Sequence, residues 1–250
     1  FTAASGGVEV IDENGNFVTN ASGYTSGGAY AYAGNLALYA QFTAIGGITK
    51  TLSTGYDSAT IGAENLNGWT RTNNNTSATK SFTFGNAYGN LPGVTLSGST
   101  ITVDHDAVTR PGYKFWGWSS SENVTVTQGS QTEAQVIDGI KGFLKPSDLV
   151  DSVDSTQTFY AVWELLGYTI TYAANGGTLN SGSPATVSYN VSAPVSLYTS
   201  DNISRTGHTL TGWDVTSNSG NWNASSYGVG ASLNGMYGNV TLTAQWSANT

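Results

Sequence analysis

No cysteine occurs in the 250 residues. That removes disulfides and thiolate metal sites, and leaves the redox compartment unread. Charge is nearly as scarce: 10% of residues are charged, against about 25% in ordinary soluble domains. The eight basic residues stand singly in a chain of net charge −8. No clustered basic footprint exists to displace counterions from nucleic acid, and anionic membranes are disfavoured for the same reason. No apolar run approaches the ~20 residues of a membrane-spanning helix, so neither nucleic acid nor membrane insertion is expected.

Acid–base chemistry is equally thin. His105 and His208 are the two histidines, and no Ser/His/Asp arrangement, metal-spaced cluster or phosphate loop accompanies them. Asp104 and Asp106 flank His105, but on a strand they share a face with each other and not with the histidine. Asp148, Asp151 and Asp154, spaced by three after Pro146, read as a solvated edge before a cation site. Asp12, Asn14 and Asn16 open like a calcium loop, but Gly15 comes too early and no closing glutamate follows. No enzyme, cofactor or metal centre is expected.

Glycine, serine, threonine and asparagine fill the gap, while aromatics hold at 12%. That composition describes a sheet protein with many turns and a neutral, hydroxyl-rich surface, not a disordered chain. It favours the cell exterior. A chain opening on Phe1 fits a precursor whose signal segment has been removed.

The chain repeats itself. Tyr168–Gly177 reads Tyr-Thr-Ile-Thr-Tyr-Ala-Ala-Asn-Gly-Gly; a middle box follows at 204–213, Ser-Arg-Thr-Gly-His-Thr-Leu-Thr-Gly-Trp; a closing box stands at 239–246, Asn-Val-Thr-Leu-Thr-Ala-Gln-Trp. The middle box recurs at 109–118, Thr-Arg-Pro-Gly-Tyr-Lys-Phe-Trp-Gly-Trp. The closing box recurs at 159–163, Phe-Tyr-Ala-Val-Trp, and at 34–42, Gly-Asn-Leu-Ala-Leu-Tyr-Ala-Gln-Phe. An internal repeat precedes any reading of fold. The divisions are a partial first repeat at 1–42, an insertion or linker domain at 43–80, a second repeat at 81–164 and a third at 165–250.

Within these divisions Asn14-Gly15 marks a hairpin. Trp69-Thr-Arg-Thr, Asn73-Asn74-Asn75 and Thr76 onward read as another, polar one. The spacing predicts one helix over 130–145, with Ser130 and Glu133 as a capping-box pair and Pro146 as its stop. Its apolar face would carry Val136, Ile137, Ile140, Phe143 and Leu144.

The repeat anchors are Trp118, Trp163, Trp213 and Trp246, with Phe42 in the same slot of the first copy. A buried Trp removes ~150–250 Å² from water. Gly117 and Gly212 precede two of them and would let backbone pass close to a neighbour. Core packing and a sugar-stacking platform are the two readings, and identical placement at strand ends favours the core. Arg110 and Arg205 stand eight residues before their tryptophans. One reading is a guanidinium bonded to loop carbonyls; the other is a carboxylate clamp.

Taken together the three boxes resemble the Listeria–Bacteroides repeat, the internalin B-type B-repeat. Residues 168–246 match all three parts of its pattern; 81–163 match the second and third, with Phe82-Thr-Phe84-Gly85-Asn86 as a poor opening; 1–42 match the third alone. The resemblance implies mainly β structure, as tandem small β-grasp-like modules with a short helix, the first repeat being incomplete. It implies a place on a cell surface as stalk, adhesin or assembly module, and carries no catalytic residues. The expected function is a self-assembling surface subunit whose partner is another copy of itself in a head-to-tail homo-oligomer or filament. The alternative is an adhesin that binds a glycan or host protein through exposed aromatics such as Tyr24, Tyr30, Tyr32, Tyr227 and Tyr237.

Overall fold

A computed structural model describes residues 2, 7–12, 14–40 and 42–250. The chain divides into two units, Phe1–Ile45 and Gly46–Thr250.

In the first unit Ile11 bridges Phe17 antiparallel. Asp12 closes the turn between them, its Oδ1 accepting from the N–H of Asn14 at 3.0 Å and of Asn16 at 2.8 Å. Those bonds hold its carboxyl below the usual range, Asn16 contributing most. The hairpin at Asn14-Gly15 therefore forms around an Asx turn. Strands β1 (Thr25–Ser26) and β2 (Ala29–Tyr30) pair next. Gly27 and Gly28 join them at φ 59° and 77°, the left-handed pair a type I′ turn requires. No strand forms over residues 31–40.

The second unit begins with β3 (Ile48–Ser53), β4 (Thr60–Ile61), β5 (Thr70–Thr72), β6 (Ser77–Phe82), β7 (Val94–Ser97), β8 (Thr100–Val103), β9 (Val108–Thr109), β10 (Tyr113–Ser119) and β11 (Thr125–Val126). Helix α1 (Glu133–Gly139) leads to β12 (Thr158–Leu165). The rest comprises β13 (Tyr168–Ala173), β14 (Thr178–Leu179), β15 (Thr186–Tyr189), β16 (Val195–Ser196), β17 (Ile203–Ser204), β18 (His208–Asn218), β19 (Ser226–Tyr227), β20 (Ser232–Leu233) and β21 (Val240–Ala248). The protein is mainly β.

Two sheets carry it. One runs β10-β12-β3-β6-β5, with β11 also on β12; the other runs β15-β13-β21-β18-β19. Read from opposite ends they share a four-strand plan. In the first, β10 pairs antiparallel with β12, β12 parallel with β3, and β3 antiparallel with β6. In the second, β18, β21, β13 and β15 pair in the same senses. Each sheet buries its own core, Ile48 to Trp163 in one and Ile170 to Ala244 in the other.

The register fixes the equivalences. Phe115 faces Trp163 and, after one bulged residue, Gly117 faces Val162 and Trp118 faces Ala161. Leu210 faces Trp246 and, again after one bulged residue, Gly212 faces Gln245 and Trp213 faces Ala244. A bulge at the same place in both middle boxes turns each Trp inward, the re-aiming that an extra residue produces. Through the parallel pairings, Leu52 then matches Tyr172, Thr54 matches Ala174, and Lys50 matches Ile170.

This corrects the domain divisions. Residues 43–80 are not an insertion or linker domain, because β3, β5 and most of β6 lie there and β3 is an inner strand of the second copy. That copy runs from Ile48 to Leu165, and 82–86 is not its opening. The true opening had lost its signature: Thr54-Gly55-Tyr56 stands where the third copy has Ala174-Asn175-Gly176. Gly55 and Asn175 nonetheless share the left-handed turn, at φ 74° and 47°. The polar hairpin after Trp69 does form, its turn made by Asn73, Asn74 and Asn75 at φ 49°, 53° and 67°.

The helix is shorter than its pattern. Its cap is Thr132, whose side chain accepts from the N–H of Gln135 while Gln135 reaches back to the N–H of Thr132. The capping box thus sits at 132 and 135 and not at 130 and 133. The helix stops at Gly139 because Ile140 turns extended, at ψ 115°, well before Pro146. Val136, Ile137, Ile140, Phe143 and Leu144 are all buried. Residues 168–246 contain no helix, so the helix that the resemblance implied is not a feature of the third copy.

The closing box of the first copy does not form a strand: residues 34–40 carry none, Gln41 lies outside the described residues, and Phe42 is 93% exposed. Its counterpart β21 lies between β18 and β13. Backbone polar groups need that ladder before a strand is stable.

Candidate functional site

The tryptophans build the frame. Trp118 and Trp213 are fully buried, so neither offers a face to a sugar. Each indole N–H donates to a backbone carbonyl, Trp118 to Pro92 at 2.8 Å and Trp213 to Tyr198 at 3.0 Å. Trp163 donates to Thr54 at 3.1 Å and Trp246 to Ala174 at 3.0 Å. These last two carbonyls are equivalent by register, so each closing Trp ties the central strand to the end of the opening one.

The two glycines ahead of the tryptophans do related but unequal jobs. A Cβ on Gly117, at φ 118°, would lie 2.4 Å from the Phe143 ring; one on Gly212 would lie 3.0 Å from the Tyr227 carbonyl oxygen. Both places carry close neighbours, as a glycine in a bulged strand permits.

The paired arginines part company. Arg205 Nη1 donates to the carbonyl of Asn175 at 3.4 Å, bracing the turn. Among the described residues Arg110 makes no such bond. Its guanidinium lies between two rings, with Cζ 3.3 Å from the centre of Tyr56 and 3.6 Å from that of Tyr113. The Trp163 ring is farther, at 5.8 Å. Tyr56 replaces Gly176 of the third copy, and the sandwich exists because of it.

Around Arg110 a cleft of about 570 Å³ opens. It is lined by Ala161 and Trp163, by Tyr56, Tyr113 and Tyr160, and by Thr54, Thr125 and Thr127. Glu122 is its one acidic residue and is exposed. Two changes from the third copy shape this space. There Asn175 Nδ2 donates to the carbonyl of Ala244 at 2.8 Å; here Gly55 has no side chain to make that link. The strand β11 also joins β12 beside it, Thr125 opposite Trp163.

Histidine chemistry is committed elsewhere. His105 Nδ1 lies 2.5 Å from the carbonyl oxygen of Phe115, and its ring meets Trp116 edge-on at 4.7 Å. It sits in a turn and not on a strand, so the expected shared face of Asp104 and Asp106 does not arise; Asp104 Oδ1 instead accepts from the N–H of Asp106. His208 Nδ1 lies 2.9 Å from the carbonyl oxygen of Thr206.

The loop that carries Asp151 and Asp154 holds a lysine. Lys50 is fully buried, and its ammonium donates to the carbonyls of Ser152 at 3.0 Å and Asp154 at 2.7 Å, and to Gln157 Oε1 at 2.6 Å. Burial pushes its pKa down, with Asp154 and Asp151 opposing. Asp154 Oδ1 accepts from the hydroxyl and N–H of Thr156. Among the described residues no group of three or more His, Asp or Glu is placed to hold a metal ion.

Sequence reasoning singled out Arg110 and Trp163 but not Tyr56, Tyr160 or Lys50. Lys50 carried a signal: it falls in the buried phase of Ile48-Thr-Lys-Thr-Leu52. Tyr56 carried none, since its role depends on a turn closing against a residue 54 positions away. No curated protein and no solved structure matches the chain significantly. Residues 168–245 match the family model of the Listeria-Bacteroides repeat domain, and the third copy in this chain is such a repeat.

Proposed function

We propose that this protein is an extracellular, non-catalytic structural component of a cell surface, whose copies join head to tail. Listeria-Bacteroides repeats are typical of surface proteins, and no helix of the described residues is long and apolar enough to cross a membrane. The observation that carries the joining step is the closing box at 34–42. It has the residue pattern of β21, an inner strand flanked on both sides, yet forms no strand, with Leu38 45% and Phe42 93% exposed. A strand-competent segment of this kind adds to a sheet edge of another chain. Such a contact is heterologous, and it builds filaments when it does not close.

Sedimentation velocity across a range of concentrations tests this. Species should grow with concentration, and Leu38→Lys with Phe42→Asp should abolish the growth without moving the melting temperature of the second unit. Monodisperse monomer at high concentration removes the proposal.

The second reading is a binding module for a glycan or host protein. The cleft beside Arg110 favours it, because the walls are aromatic and the guanidinium of Arg110 has no acceptor among the described residues.

A further inference from the structure

We infer that the cleft beside Arg110 takes the carboxylate of an acidic sugar, a uronate- or sialate-type residue of a glycan. The inference rests on the binding-module reading and names its ligand class.

Arg110 and Arg205 hold the same place in the two copies, each eight residues before its tryptophan. Arg205 spends its side chain on the Asn175 carbonyl. Arg110 is held flat between Tyr56 and Tyr113 and meets no acceptor among the described residues. Stacking on ring faces leaves the edge of a guanidinium, where its N–H groups lie, open to an in-plane partner. A carboxylate matches that edge with two parallel bonds. The rings also fix the side chain before any ligand arrives, which lowers the entropy lost on binding.

The rest of the cleft suits a sugar. Its volume of about 570 Å³ lies in the range of small-ligand sites. Tyr56 is 42% exposed and presents a ring to a pyranose face. Thr125 and Thr127 supply hydroxyls that both donate and accept, as sugar hydroxyls require. A peptide bound by strand addition needs an open strand edge. Here β3 and β11 already occupy that side of β12. Glu122 at the rim opposes an anion, and it supplies a control.

Isothermal titration of the full chain with trigalacturonic acid and sialyllactose, beside neutral maltotriose and lactose, tests the inference. The acidic sugars should bind at least about tenfold more tightly than the neutral ones, the strength of a charge-assisted pair of bonds. Arg110→Lys should erase most of that preference at an unchanged melting temperature. Glu122→Gln should tighten acidic binding, and Arg205→Lys should leave it alone. Equal binding of acidic and neutral sugars overturns the carboxylate while the binding-module reading survives. Binding only of a peptide bearing a free carboxylate overturns the glycan, and binding of none of these probes sinks the inference and the module reading together.

Discussion

Lys50 and Ile170 occupy the same place in two copies of one sheet, both buried, one carrying an ammonium and the other a hydrocarbon. A buried charge persists only when its hydrogen bonds are met, and Lys50 meets its three donors with Ser152, Asp154 and Gln157. The second copy has therefore exchanged part of its core for a clip that holds the loop before β12. Lys50→Ala should cost about 2–5 kcal/mol, through the cavity it leaves and the carbonyls of Ser152 and Asp154 left without their donor. Lys50→Ile, borrowing the third copy's solution, should recover the packing but free the loop. Urea melts and amide exchange over 151–157 separate the two effects; equal loss in both variants would mean packing is irrelevant there.

The two glycines rank differently. At Gly117 an alanine meets both a left-handed φ of 118° and the Phe143 ring at 2.4 Å. At Gly212 it meets one carbonyl oxygen at 3.0 Å, with φ in an ordinary range. Gly117→Ala should cost several kcal/mol through strain and displaced packing, and Gly212→Ala about 1–3 kcal/mol. Thermal melts of the two variants side by side check the order.

Trp213→Ala removes one of the two fully buried tryptophans of the third copy along with its bond to Tyr198. The expected cost is about 3–5 kcal/mol, comparable with all the stability a domain of that size holds. The third copy should lose its cooperative melt while the second keeps its own, since the two cores are separate. Differential scanning calorimetry reads both transitions in one trace, and a melt within a few degrees of the parent would sink the core role.

Alkaline pH should loosen the fold through its tyrosines. Burial pushes Tyr88 up to about 12 from 10.0, and burial raises Tyr172 as well, against its bond at Tyr198. A raised folded-state pKa contributes stability that is whole below pH 10 and drains away as pH climbs through the folded value. Lys50 has the opposite sign: its lowered pKa means stability grows as pH rises toward its unfolded value of 10.5. Urea melts should thus show a level or slightly rising stability to about pH 10 and a fall toward pH 12. Tyr172→Phe should shallow that fall.

Legibility followed the range of the interactions. The middle and closing boxes could be read because a large aromatic, a glycine one step before it and strict alternation are local marks. The opening of the second copy could not, because Lys50, Gly55 and Tyr56 had replaced the residues that mark it in the third copy. Its place beside β12 comes from a parallel pairing of Thr51 with Thr158, across more than a hundred residues. The helix was legible by its apolar face, but its ends were not; Thr132 won the cap because Gln135, and not Glu133, closes a reciprocal pair with it.

The amino-acid order alone decided that this is a turn-rich β protein with a copied, tryptophan-anchored unit, since periodicity and turn chemistry act over a few residues. Tertiary structure alone decided which strands complete each copy, and that one arginine braces a turn while its twin lies between two tyrosines. Those outcomes depend on which distant surfaces close against each other, and no short stretch of chain carries that information.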